Sequence, residues 1–138
     1  MSTFQVEVVS AEGQIFSGEA TAVYAAAITG EIGILPRHAP LLTKLKAGAL
    51  RVQTSAGEQS IFIGGGIMEV QPQLVTVLAD SAMRAGDADE QAAIAAKQRA
   101  EALVASGGKE MDLAKAQAEL VEAAARLKFV QDLNKTAR

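Results

Sequence analysis

The chain has 138 residues, is 49% hydrophobic but only 4% aromatic with no tryptophan, and carries a formal net charge of −3. That length holds one cored domain with room for an appendage, while two full domains would be a squeeze. The acidic balance, with no basic cluster interleaved with aromatics, excludes a nucleic-acid surface, and the lack of cysteine excludes disulfides and thiolate metal sites.

No charged and apolar leader opens the sequence and no run of 18 apolar residues occurs, so the expected setting is the cytosol, with membrane association made through a partner rather than by direct insertion. Phe4, Val6 and Val8 alternate with Gln5 and Glu7, the period of a strand with one buried face, and Ala11-Glu12-Gly13-Gln14 supplies a turn. Ile15-Phe16 and Thr21 to Ile28 extend the pattern around a break at Gly18. The stretch Gly30 to Gly48 holds two of the three prolines, Pro36 and Pro40, and the only histidine, His38. Because proline fixes φ and pushes the preceding residue toward extended backbone, this stretch is expected to be a stiff non-helical loop. It is either a docking surface, with Ile34, Leu35, Arg37, His38 and Leu41 exposed to a partner, or a plain connection with Leu41 and Leu42 in the core.

Leu50, Val52 and Thr54 alternate again, and the turn Ser55-Ala56-Gly57-Glu58 leads into Ile61-Phe62-Ile63 as a hairpin. Gly64-Gly65-Gly66 follows, then Ile67 to Val70, the turn Gln71-Pro72-Gln73 and Leu74 to Leu78. Three glycines without a following Lys-Ser/Thr, and running into a strand, read as a bend or a close backbone approach rather than a phosphate loop. Turn signals about every 8 to 12 residues without helical period predict an antiparallel β-sandwich or flattened barrel.

The composition changes near Gly86, where Ala-rich sequence begins, so the expected domains are 1–86 and 87–138. Asp87, three residues before Glu90, is expected to cap a helix from about Ala88 to Ala105. Ala93, Ala96, Ala100 and Leu103 form its stripe, and Ser106-Gly107-Gly108 stops it. A second helix, about Met111 to Asn134, carries Leu113, Ala116, Leu120, Ala123, Leu127 and Val130 as an a/d seam. The two read as an antiparallel helical hairpin, so the fold class is α+β. An alanine seam buries little apolar surface, so the hairpin is either a marginal, movable element or a fixed cover for an apolar patch. Glu110, Asp112, Glu119 and Glu122 precede Arg126, Lys128, Lys135 and Arg138 along the second helix, which suits its macrodipole and leaves a basic end that either is solvated or meets an acidic partner.

With one histidine and no cysteine, no catalytic constellation and no metal site assembles, so the chain is expected to be a non-enzyme without a resident cofactor.

Taken together, Val9-Ser10-Ala11-Glu12, the run Gly30-Glu31-Ile32-Gly33-Ile34-Leu35-Pro36 with His38-Ala39-Pro40-Leu41-Leu42-Thr43, the run Gly65 to Val70 and the run Val75 to Asp80 resemble the epsilon subunit of the bacterial F-type ATP synthase over the whole chain. The resemblance implies a central-stalk rotor subunit of a proton-translocating enzyme, peripheral on the cytoplasmic face of the plasma membrane, with the gamma subunit, the c-ring and the alpha and beta subunits as partners. It implies that Glu31 and His38 contact the c-ring. It implies too that the helices inhibit ATP hydrolysis when extended, with Arg126 and Lys128 meeting the beta subunit. Some such subunits bind ATP through an Ile/Leu-Asp-x-x-Arg-Ala motif, which here reads Ala88-Asp89-Glu90-Gln91-Ala92-Ala93. Asp89 is kept, but Ala92 replaces the arginine and Glu122 stands where a second cation is expected, so ATP should be at best a weak ligand. The competing expectation is a free-standing nucleotide-sensing module in which the hairpin closes over its ligand.

Overall fold

A computed structural model of the chain describes residues 2–107 and 110–136. They divide into two compact units, 1–86 and 87–138. Among the described residues the first unit holds eight strands: β1 (Phe4–Ser10), β2 (Gly13–Ala20), β3 (Ala22–Ala27), β4 (Gly30–Ile34), β5 (Leu41–Thr54), β6 (Gly57–Val70), β7 (Leu74–Ala79) and β8 (Ala82–Arg84). The order is β2-β1-β7-β6-β5-β3-β4, with β8 on β6. This is the expected sandwich, with one departure from an all-antiparallel scheme: β1 runs parallel to β7, in register Val6 with Val75 and Val8 with Val77.

Rows read across the strands show why the alternation matters. Val8, Val77 and Met68 lie side by side, as do Val6, Val75 and Val70, and all six are at most 1% exposed. Each such side chain contributes roughly 1.5 to 3 kcal/mol on burial, so these rows form the stabilising core. The rows between them, Glu7-Thr76-Glu69-Leu42 and Val9-Leu78-Ile67-Lys44, belong to the opposite face.

β5 and β6 are 14 residues each, and the triple glycine lets this long hairpin serve two layers. β7 pairs with residues 66–70 of β6 and β8 with residues 61–63. The step between them lies opposite Gly64 and Gly65, where Gly64 N–H donates to Ser81 O and Asp80 N–H to Gly65 O, both at 2.8 Å. Gly66 has φ +147°, and a Cβ there would sit 2.2 Å from Leu78 O. The glycines are therefore a backbone crossing, in line with their setting between strands.

The stretch 30–48 is less of a loop than its prolines imply. Gly30–Ile34 is β4, Leu41 onward is β5, and the connection between them is residues 35–40. Gly30 at φ +127° makes the turn from β3, so β-ladder pairing takes over on both sides of the prolines. Leu41 and Leu42 are 37% and 70% exposed, which corrects the core placement.

In the second unit, α1 (Glu90–Ala105) and α2 (Glu110–Thr136) pack together as a hairpin. The N-cap is Asp89, not Asp87. Asp89 is extended, at φ −132° and ψ 111°, and its side chain accepts from the N–H groups of Gln91 and Ala92, whereas Asp87 closes the preceding 3-10 turn, Ala85–Asp87. With Asp89 as the cap, the capping-box position three residues on is Ala92 rather than the expected Glu90, whose carboxylate instead accepts from Asn134 Nδ2 across the hairpin at 2.9 Å. The alanine seam is in place: Ala93, Ala100 and Ala116 are buried, while Leu103, at the turn end, is 52% exposed. Gly107, at φ +70°, ends α1. Gly108 and Arg138, and the side chains of Glu110 and Asp112, lie outside the described residues.

Candidate functional site

Among the described residues no cluster of three or more metal-capable side chains occurs, and no helix is long and apolar enough to cross a membrane. The features that remain are surfaces. The connection 35–40 is one. Arg37 adopts φ +63°, the left-handed region that costs an L-residue about 1 to 2 kcal/mol. Its N–H donates to Pro72 O at 3.1 Å, which ties this connection to the turn between β6 and β7. His38 Nδ1 lies 2.6 Å from Ala39 O, which makes that nitrogen the protonated one. Leu35 is 59% exposed. A stiff connection therefore presents one apolar and one cationic side chain to the outside.

Glu31 is not on this connection but near the start of β4, in an ion pair: Arg51 Nη2 donates to Glu31 Oε1 at 2.9 Å, and Arg51 Nη1 to Glu58 Oε1 at 3.3 Å. The Arg51 guanidinium also lies 4.7 Å from the centre of the Tyr24 ring. These contacts raise the pKa of Arg51 above its ordinary value, the hydrogen bond to Glu31 being the largest cause. Among the described residues no hydrogen bond or ion pair joins Glu31 to His38, so sequence proximity does not make them one constellation.

The outward rows of the sheet form a second surface. Leu42 on β5, Ile67 on β6 and Leu78 on β7 are 70%, 42% and 55% exposed. Ile67 and Leu78 lie opposite each other, and Leu42 lies one row away, opposite Glu69. Their alternation with buried residues was legible, but the sequence alone did not show that three large apolar side chains stand among the charged residues of the second face.

On the hairpin, an open groove of about 280 Å³ is lined by Ala96, Ala100, Leu103 and Ala123, with Arg99, Glu119, Glu122 and Arg126 among its charged residues. Arg126 Nη2 lies 3.8 Å from Glu122 Oε1, one turn back, while Lys128 is exposed. Two guanidinium groups face two carboxylates, so the groove has no excess of cation for a phosphate chain. Asp89 is spent on the helix cap, as described above.

Two family models match in tandem: the beta-sandwich domain of the ATP synthase delta/epsilon chain over residues 3–85, and its long alpha-helix domain over residues 87–131. The chain belongs to the ATP synthase delta/epsilon chain family. Among curated relatives, the ATP synthase epsilon chain of Nitrosococcus oceani is 52% identical over 134 residues, covering 96% of each chain. That of Acidithiobacillus ferridurans is 57% identical over 131 residues, covering 95% of this chain and 93% of its own. The fold also matches a chain in the Euglena gracilis mitochondrial ATP synthase, with a TM-score of 0.73 at 18% identity over all of this chain and 83% of that one. A central stalk/c-ring chain of the Tetrahymena thermophila enzyme gives 0.67 at 10% identity, over 94% and 97%. As a member of the epsilon-chain group the protein is a non-catalytic subunit, in keeping with the expectation that it is not an enzyme.

Proposed function

We propose that the chain is the rotor-stalk epsilon subunit of a proton-translocating ATP synthase, peripheral on the cytoplasmic face of the bacterial plasma membrane. It couples rotation of the c-ring to the catalytic sector and restrains ATP hydrolysis through its helical hairpin. The observation that carries this reading is the match of both units, in order, to the sandwich and helix domains of one family. The sandwich offers two contacts of different chemistry. The strip Leu42, Ile67 and Leu78 suits the gamma subunit, because an apolar face gains most when another protein surface covers it. The polar features, Glu31 and the connection bearing His38, suit the loops of the c-ring.

The hairpin reading is supported by its seam: among the described residues the buried side chains are Ala93 and Ala100 on α1 and Ala116, Phe129 and Val130 on α2, so large apolar burial is confined to the end of α2 and an open alternative lies within a few kcal/mol. In the open form Arg126 and Lys128 are our candidates for the beta-subunit contact. ATP is at best a weak ligand of the hairpin, since Glu119 and Glu122 offset Arg99 and Arg126 in its groove. Titration calorimetry should show no saturation at millimolar ATP, and tight binding abolished by Asp89→Ala would overturn that view.

The regulatory role is tested by ending the chain after residue 87 in the assembled enzyme. The complex is expected to assemble, with ATP hydrolysis released from inhibition. Loss of assembly, or an unchanged hydrolysis rate, would contradict the division of labour.

A further inference from the structure

β4 is an edge strand: it pairs with β3 alone, and two of its five residues are glycines. Its far end is anchored by Ile34, 1% exposed, but the Glu31 side chain is 65% exposed. An unheld carboxylate there would spread over its rotamers. Arg51 holds it from β5, with β3 lying between. The guanidinium forks to Glu31 and Glu58 and covers the Tyr24 ring, at the distances given above. Glu58 is itself braced, since Gln53 Nε2 donates to the same oxygen at 2.8 Å. Tyr24 is fixed from the edge, because a Cβ on Gly33 would come within 3.0 Å of its ring. The belt therefore draws on β3, β4, β5 and β6.

The chemistry favours arginine at this position. A planar fork meets two carboxylates at once while its face stacks on an aromatic ring, which an ammonium group cannot do. One exposed ion pair orders little by itself, but a guanidinium with three partners loses its freedom once for all of them. Among the described residues only Oε1 of Glu31 is engaged. Oε2 keeps its lone pairs for an outside N–H donor. Two carboxylates around one guanidinium leave one negative charge in excess, which suits a partner surface offering cations or amide donors.

We propose that Arg51 is a positioning residue for the ring contact: stacked on Tyr24 and braced by Glu58, it fixes the Glu31 carboxylate of the edge strand in the orientation that the c-ring loops bind. The inference rests on the ring-facing reading of Glu31 given above.

The test measures affinity of the full-length chain for detergent-solubilised c-ring by biolayer interferometry, using Glu31→Gln, Arg51→Met, Arg51→Lys and the Glu31→Gln/Arg51→Met double variant. Arg51→Met should weaken binding by about three- to tenfold, Lys should fail to restore it, and the double variant should bind no worse than the weaker single one. Melting curves separate this from general unfolding. If Arg51→Met folds poorly, Glu58→Gln removes one brace and should give a smaller loss in the same direction. If Glu31→Gln weakens binding while Arg51→Met does not, the positioning role falls and the ring-facing reading stands. If both effects appear but multiply in the double variant, Arg51 acts independently and the proposal is overturned. If neither variant changes binding, the ring-facing reading of Glu31 itself falls.

Discussion

Gly66 shows how one residue decides the path of a strand. Its φ of +147°, and the 2.2 Å that would separate an added Cβ from Leu78 O, leave no room for any side chain. Gly66→Ala should therefore lower stability by ~2 to 4 kcal/mol, read as the midpoint of urea unfolding. Arg37 presents the opposite case, a side chain kept in a conformation glycine would adopt more easily. Arg37→Gly should raise the melting temperature, by ~1 kcal/mol in stability, so a penalty is retained for an exposed cation beside His38. At Asp89, Ala should cost the hairpin about 1 kcal/mol whereas Asn, an equivalent cap, should be nearly neutral in thermal unfolding. The motif-like aspartate thus has a structural role as the helix cap.

At the scale of elements, the strands were legible wherever one face is buried, because Phe4, Val6 and Val8 or Leu50 and Val52 alternate with polar residues and the period is two. The stretch 30–48 was harder to read. Proline rules describe the residues around Pro36 and Pro40, but ladder pairing with β3 and β6 decides the flanks, and pairing partners are distant in sequence. The helix cap lies two residues beyond its expected place for a similar reason: Asp87 and Asp89 are both good caps, and only the backbone turn at Ala85–Asp87 separates them. The hairpin seam was legible from spacing, and its shallow packing suggests a measurement. Ala96→Leu or Ala123→Leu adds a side chain to the groove between the helices and should stabilise the closed hairpin by ~1 kcal/mol. In the assembled enzyme the same change should raise ATP hydrolysis if the helices restrain it in the open form proposed above. No change in hydrolysis, despite a stabler hairpin, would argue that opening is not governed by the seam.

At the scale of the whole molecule, the division into a β unit and a helical unit was visible as a shift in composition near Gly86, and the two family domains meet at the same place. The Arg51 belt was not visible, since its members, Tyr24, Glu31, Arg51 and Glu58, are brought together only by the order of β3, β4, β5 and β6. The strip Leu42, Ile67 and Leu78 was equally hidden, being one residue from each of three strands. Ile67→Glu with Leu78→Lys sets opposite charges directly across β6 and β7 and should leave the chain folded at a cost of about 1 kcal/mol, because the two side chains are 42% and 55% exposed. It should nonetheless reduce recovery of the chain with the gamma subunit, scored by quantitative immunoblot of the purified complex. The measurement that bears most directly on the account is an affinity pull-down of an N-terminally tagged chain from mildly solubilised membranes of its own organism, with partners identified by mass spectrometry. Recovery of the gamma, alpha, beta and c subunits together is the predicted result. Recovery of the chain alone, or with an unrelated soluble protein, would contradict the rotor assignment and return attention to a nucleotide-sensing hairpin.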